Sequence, residues 1–139
     1  MTGASEMKLL NYKVLKTMFE LNEDFEFKSK KIDIQPSFNR DIVNIDDNHY
    51  KITLSIKISN DVNKAPIPFD AEVIISSVFE LRNWESEAAN SIAINNATAI
   101  MFPYLRTLLA TITMNGNIPP YMLPVMNISS LFEISKSVQ

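Results

Sequence analysis

IMFPYLRTLLATITMNGNIPPYMLPVMNISSLF, from Ile100 to Phe132, carries one charged side chain, Arg106. Met101, Leu105, Leu108, Leu109 and Ile112 recur at spacings of three and four, which marks one face of a helix, with Tyr104 beside that stripe. Pro103 is expected in the first turn or two, where its missing N–H matters least. Asn115-Gly116 reads as the stop, with Gly116 available for the left-handed conformation. Asn127 is a suitable N-cap for a second, shorter helix from Ile128 to about Ser137. Gly116, Pro119, Pro120 and Pro124 interrupt the segment too often for it to span a bilayer. Surface this apolar has to be covered by the rest of the domain, by copies of the chain, or by something it binds.

Upstream, the period changes from helical spacing to two. Tyr50, Ile52, Leu54, Ile56 and Ile58 alternate with Lys51, Thr53, Ser55 and Lys57, which describes a strand with one buried and one wet face. Asp46-Asp47-Asn48 before it and Asn60-Asp61-Val62-Asn63 after it are turn sequences. Phe19, Leu21, Phe25 and Phe27 share one parity, and Ile32, Ile34 and Phe38 continue the pattern. Pro36 there marks a bulge or an edge position. From Pro68 to Leu81, Phe69, Ala71, Val73, Ile75 and Phe79 lie on one face. The other face carries Asp70, Glu72 and Glu80 together with Ile74 and Val78, and that half-apolar surface calls for a partner or ligand. The chain therefore reads as a single α+β domain, 1–139, with strands first and helices packed on one side of an antiparallel sheet. Residues 1–10 are expected to be flexible, 11–81 to form the sheet and 97–137 the helical part, with a crossover at 116–126. Arg82 to Asn96 reads as a linker that includes a helical turn.

Composition excludes several function classes. At 139 residues and net charge −3 the chain has no basic stripe, so no nucleic-acid partner is expected. Absence of cysteine removes disulfide and thiolate chemistry. Gly3 and Gly116 are the only glycines, which leaves no phosphate-binding loop. The N-terminal residues lack a charged region followed by an apolar run, so the expected compartment is the cytoplasm, without membrane insertion. His49, the sole histidine, reads as a half-exposed turn residue beside Asp46 and Asp47. Glu85 and Glu87, like Glu23 and Asp24, read as solvated faces. No nucleophile–base pair or metal-ligand cluster emerges, so neither catalysis nor a cofactor is expected.

Binding is the better fit. Trp84 stands in a polar stretch, and Tyr121-Met122-Leu123 lies between prolines. Met101, Met114, Met122 and Met126 gather in or near the apolar segment, and flexible thioethers suit surfaces that accept varied sequences. Loops rarely carry this much apolar surface unless it is covered. Ile74, Val78, Trp84, Ile118, Tyr121, Met122, Leu123 and Met126 are accordingly the expected walls of a binding groove.

The order of these short segments resembles the SecB family of export chaperones. I-M-F-P-Y-L-R is similar to that family's helix segment I-L-F-P-Y-A-R, G-N-I-P followed by M-L-P to its crossover, and N-I-S-S-L-F to the opening of its last helix. The matching residues are Ile100, Phe102, Pro103, Tyr104, Arg106, Gly116, Pro119, Pro124, Asn127, Leu131 and Phe132. Phe69-Asp70-Ala71-Glu72-Val73 resembles the family's F-x-x-E-V. The order of elements agrees from about Tyr12 to Phe132. The resemblance implies a four-stranded antiparallel sheet, then a long and a short helix, assembled as a homotetramer (a dimer of dimers) with helices at the interface. It implies an ATP-independent holdase for unfolded polypeptides or preproteins. Tyr104, Arg106 and Thr113 would then face other subunits, and Asp70 and Glu72 would form a face for the export motor SecA. Asp70 replaces the family's usual apolar residue, the crossover is one residue shorter before Pro124, and the sequence ends at Gln139 without the tail that engages SecA. These departures point toward the shorter SecB-like proteins that protect an antitoxin, so a dedicated partner is the alternative to general holding. On either reading, Trp84 fluorescence is expected to shift when an unfolded polypeptide binds. An unchanged emission maximum at saturation would remove Trp84 from the groove.

Overall fold

The computed structural model describes residues 6–25, 34–59, 67–82, 87–118, 121–123 and 131. Four strands, β1 (Glu6–Leu21), β2 (Ser37–Asn44), β3 (His49–Ile58) and β4 (Phe69–Arg82), precede one long helix, α1 (Glu87–Asn115). All pairings are antiparallel and the sheet order is β1-β4-β3-β2. The fold class is α+β, as the periodicities require.

Alternation decides which face of the sheet is covered. Ile52, Leu54, Ile56 and Ile58 of β3 are fully buried, as are Ala71, Val73, Ile75 and Phe79 of β4. They meet Ala93, Ile94, Ala97, Met101, Phe102, Leu105 and Leu109 of α1 in one core. Leu108 and Ile112 of the helix stripe pack at its margin. β2 reaches the helix only through long side chains. Phe38 packs on Phe102 with ring centroids 5.9 Å apart. Arg40 donates from Nη1 to Asn95 Oδ1 at 2.9 Å and to Thr98 Oγ1 at 3.1 Å.

Two boundaries differ from the sequence expectation. β1 opens at Glu6, so residues 6–10 form strand where a flexible end was expected. Their pairing partners, Phe79 to Arg82, supply the order that the local sequence does not advertise. The helix opens at Glu87, ten residues before the expected 97, because Ala93 and Ala97 reach the core as small residues rather than as an apolar stripe. Pro103 consequently lies past the middle of a 29-residue helix about 43 Å long, rather than in its first turns. Of the expected last helix only Leu131 is described; it is helical and half-buried against the core. The turn expected at Asn60–Asn63 lies outside the described residues.

The stop at the end of α1 is where expected but works differently. Asn117, not Gly116, has the positive φ, 61°. Gly116 is required for another reason: a Cβ there would run into the Phe19 ring. Phe19 in turn stacks on Phe69, centroids 5.6 Å apart, so the close approach ties the helix end to the β1–β4 pair. Gly116→Ala is therefore expected to destabilise the fold by about 1–3 kcal/mol through displacement of Phe19. Urea denaturation checks this, and a Phe19→Leu background, which makes room, should recover part of the loss.

Candidate functional site

The groove expected from the sequence does not form as one surface. Ile74 and Val78 lie on even positions of β4, on the sheet face opposite α1, because Val73, Ile75 and Phe79 point into the core. Ile118, Tyr121 and Leu123 lie on the helix side. The sheet itself separates the two groups. Leu123 is only 3% exposed and belongs to the core, so it is not an available wall. Tyr121 is half-buried, with its ring 6.1 Å from Phe69. Ile118 is half-buried at the core margin, while Met122 is 59% exposed. Trp84 and Met126 lie outside the described residues.

Thr113 also differs from its expected role at a subunit interface. It is fully buried within the chain. Its hydroxyl has the Ala110 and Leu109 carbonyls as acceptors at 2.9 and 3.1 Å, and it accepts the Tyr121 N–H at 2.8 Å. A helix-interior threonine that bonds back to the preceding turn keeps a lone pair for an incoming donor, and this one ties the crossover to α1. Arg106 is half-buried and Tyr104 is exposed. The Tyr104 ring packs against Tyr12 of β1 at 4.9 Å. Burial, and then the neighbouring Tyr104, raise the Tyr12 phenol above its ordinary value.

Asp70 and Glu72 share the outer sheet face with Ile74 and Val78. Glu72 is not an open carboxylate, because Lys16 of β1 pairs with it at 2.5 Å. At one end of this face Asp46 Oδ1 accepts the Asn48 and His49 backbone N–H groups at 2.9 and 3.0 Å and lies 2.7 Å from His49 Nδ1. These bonds, with that from Asn48 first, hold the Asp46 carboxyl below the usual carboxylate range. His49 Nε2 is 3.9 Å from Glu80, which Arg82 also engages. Hairpin closure explains this cluster. Among the described residues no group of three or more His, Asp or Glu side chains is placed to hold a metal ion.

Two apolar surfaces escaped the sequence reading. On β1, Leu9, Leu10, Tyr12, Val14 and Leu15 are all exposed, as are Ile92, Ile100 and Tyr104 on α1. The β1–β4 register shifts between Leu9 and Asn11 and between Val14 and Lys16, so Leu10 and Leu15 are extra residues that interrupt the alternation. Those interruptions hid the opening of the strand, ahead of Phe19 and Leu21, from a period-two search, although the Leu9-Leu10 and Val14-Leu15 pairs were visible. At the opposite edge Ile42, Val43 and Ile45 are exposed on and beside β2. α1 is long and apolar enough to cross a membrane by length and composition alone. Ala93, Ala97, Leu105 and Leu109 instead direct its apolar face into this domain's core.

This arrangement, an antiparallel sheet of order 1-4-3-2 backed by one long helix, recurs in solved structures. A Mycobacterium tuberculosis SecB-like chaperone, Rv1957, in complex with a ChAD peptide from the Rv1956 HigA1 antitoxin, superposes with a TM-score of 0.65. The two are 15% identical, over 86% of this chain and 90% of that one. A Streptococcus agalactiae protein of unknown function follows at TM-score 0.53 and 14% identity, over 88% of this chain and 100% of that one. The model of the family described as preprotein translocase subunit SecB matches residues 17–139. The chain belongs to the SecB family. The Methanocaldococcus jannaschii protein MJ0357 is 34% identical over 129 residues, covering 90% of this chain and 81% of that protein. The protein-export protein SecB of Saccharophagus degradans is 27% identical over 94 residues, 68% of this chain and 56% of that protein. The match thus spans little more than half the length of that SecB relative.

Thr113→Val is expected to leave the Tyr121 N–H without its acceptor and to cost about 1–3 kcal/mol. Thr113→Ser, which keeps the hydroxyl, should recover most of it. Chemical denaturation of the three proteins distinguishes a tether from an exposed interface residue, for which both changes would be nearly neutral.

Proposed function

We propose that this chain is an ATP-independent chaperone that holds non-native polypeptides, and that it does so as a homotetramer in the cytoplasm. The observation that carries the reading is the β2 edge. Ser37 to Asn44 is a regular strand with no break in its register to β3, and among the described residues nothing pairs with its other side. Beside it stand exposed Ile42, Val43 and Ile45. An unfolded client offers apolar side chains and unpaired backbone groups, and an open edge beside apolar surface takes up both. β1 is a poorer edge for this purpose, since its two bulges break the run of backbone groups.

Each such contact is weak. At roughly 25 cal/mol per Å², a few hundred Å² of loosely matched apolar surface yields modest affinity once ordering costs are met. Several edges on one oligomer raise avidity through effective concentration. The exposed β1 leucines with Tyr104, which packs on Tyr12, supply a surface for a second copy; Arg106, two residues further on and so on the other flank of α1, remains a candidate from the sequence. Met122, with Ile118 and Tyr121 behind it, is a second client contact on the helix side. Trp84 and Met126 remain candidates from the sequence.

A dedicated partner is the second reading, favoured by the antitoxin peptide bound to the Mycobacterium tuberculosis SecB-like chaperone. The pairing of Glu72 with Lys16 also disfavours Asp70 and Glu72 as a face for SecA. Suppression of aggregation of a slowly folding client at stoichiometric tetramer tests the holding role, and an unprotected client would sink it. Light scattering is expected to return the tetramer mass; a monomer would remove the avidity argument. A single dominant polypeptide on native co-purification would favour the dedicated partner over general holding.

A further inference from the structure

With no cysteine among 139 residues, the thioethers of seven methionines are the only sulfur this chain offers an oxidant. Their surroundings differ widely. Met101 is buried in the core, whereas Met114, near the end of α1, is exposed. Met122, at 59%, is more exposed than any other large apolar side chain among the described residues. A peroxide must touch sulfur to oxidise it, so exposure sets the order in which these groups react.

Met122 is also exposed on a backbone that is held at both sides. Before it, the Tyr121 N–H donates to Thr113 Oγ at 2.8 Å, and the Tyr121 ring lies 6.1 Å from Phe69. After it, Leu123 belongs to the core. A change at the Met122 sulfur therefore alters the outer surface of the crossover and leaves the packing beneath it in place. We propose that Met122 is an oxidation site that controls client contact: hydrogen peroxide converts its thioether to the sulfoxide, and the contact weakens. In that step the O–O bond breaks and an S–O bond forms. Sulfur is oxidised by two electrons, and the peroxide is reduced to water. The product sets a strongly polar S–O group where a client would lay an apolar side chain, and covering it without a hydrogen-bond donor is unfavourable. The inference rests on the holding role proposed above and adds control to one of its contacts.

Treatment of the full chain with hydrogen peroxide, followed by removal of the peroxide, tests it. Peptide mapping by mass spectrometry is expected to find Met122 and Met114 converted well before Met101. Binding is read by anisotropy of a labelled, permanently unfolded polypeptide, reduced and carboxymethylated lactalbumin. It is expected to be about tenfold weaker after treatment, the scale of one covered polar group without a partner, with the urea midpoint unchanged. Met122→Leu, which keeps the volume and removes the sulfur, should bind equally before and after treatment. Met114→Leu should stay sensitive. Methionine sulfoxide reductases for both epimers, with dithiothreitol, should restore the affinity of the treated chain. Unchanged affinity with Met122 converted, or a loss matched by a lower urea midpoint, overturns the inference and leaves the holding role standing. Protection by Met114→Leu instead of Met122→Leu overturns it as well. An untreated chain that does not bind the polypeptide overturns the holding role, and this inference with it.

Discussion

Burial of the inner face of β4 under α1 is the constraint on which the rest of this structure depends. β4 lies between β1 and β3, so its backbone is paired on both sides and its odd-numbered side chains have only the helix to meet. Phe69, Val73, Ile75 and Phe79 fill that space against Ala97, Met101, Leu105 and Leu109. Small residues on α1 allow the approach, and large ones on the strand fill it, which is how close packing is reached without voids. Once β4 and α1 are joined in this way, every other element is placed relative to them.

The two sheet edges then acquire different characters. β1 is long, bulged twice and rich in exposed leucines. β2 is short and regular, and it touches the helix through Phe38 and Arg40 alone among the side-chain contacts described. Its backbone edge is the less committed part of the domain. Binding functions draw on such margins, because a segment whose groups are already paired has little to offer a partner. The crossover is less open than its composition suggests: the Thr113 tether, the Tyr121–Phe69 contact and buried Leu123 hold it down, leaving Met122 outermost.

Much of the fold was legible from local pattern. Strict alternation from Tyr50 to Ile58, and looser alternation from Phe69 to Leu81, named the two central strands, and the three- and four-residue spacing from Met101 to Ile112 named the helix. Pro36 correctly marked the approach to an edge strand. The helix start was hidden because Ala93 and Ala97 carry the packing there, and alanine reads as neutral in a search for large apolar residues. The opening of β1 was hidden because two extra residues, Leu10 and Leu15, break its parity. The groove failed for a different reason. Ile74 and Ile118 are both apolar and lightly covered, but which side of a sheet each occupies is a property of the register and of the helix's position, not of either residue.

By itself the sequence determined the class of the fold, the central strands, the end of the helix at Gly116 and the family resemblance, because each is a matter of residue type at short spacing. Only the tertiary structure decided that Gly116 is demanded by Phe19, that Thr113 looks inward, and that Leu123 is core. It also set Ile74 and Val78 on the far side of the sheet from the crossover. These outcomes depend on contacts between residues far apart in the chain, such as Phe19 with the end of α1 and Arg40 with Asn95. No local period encodes a contact of that kind. It arises when burial of one face fixes where the other faces point.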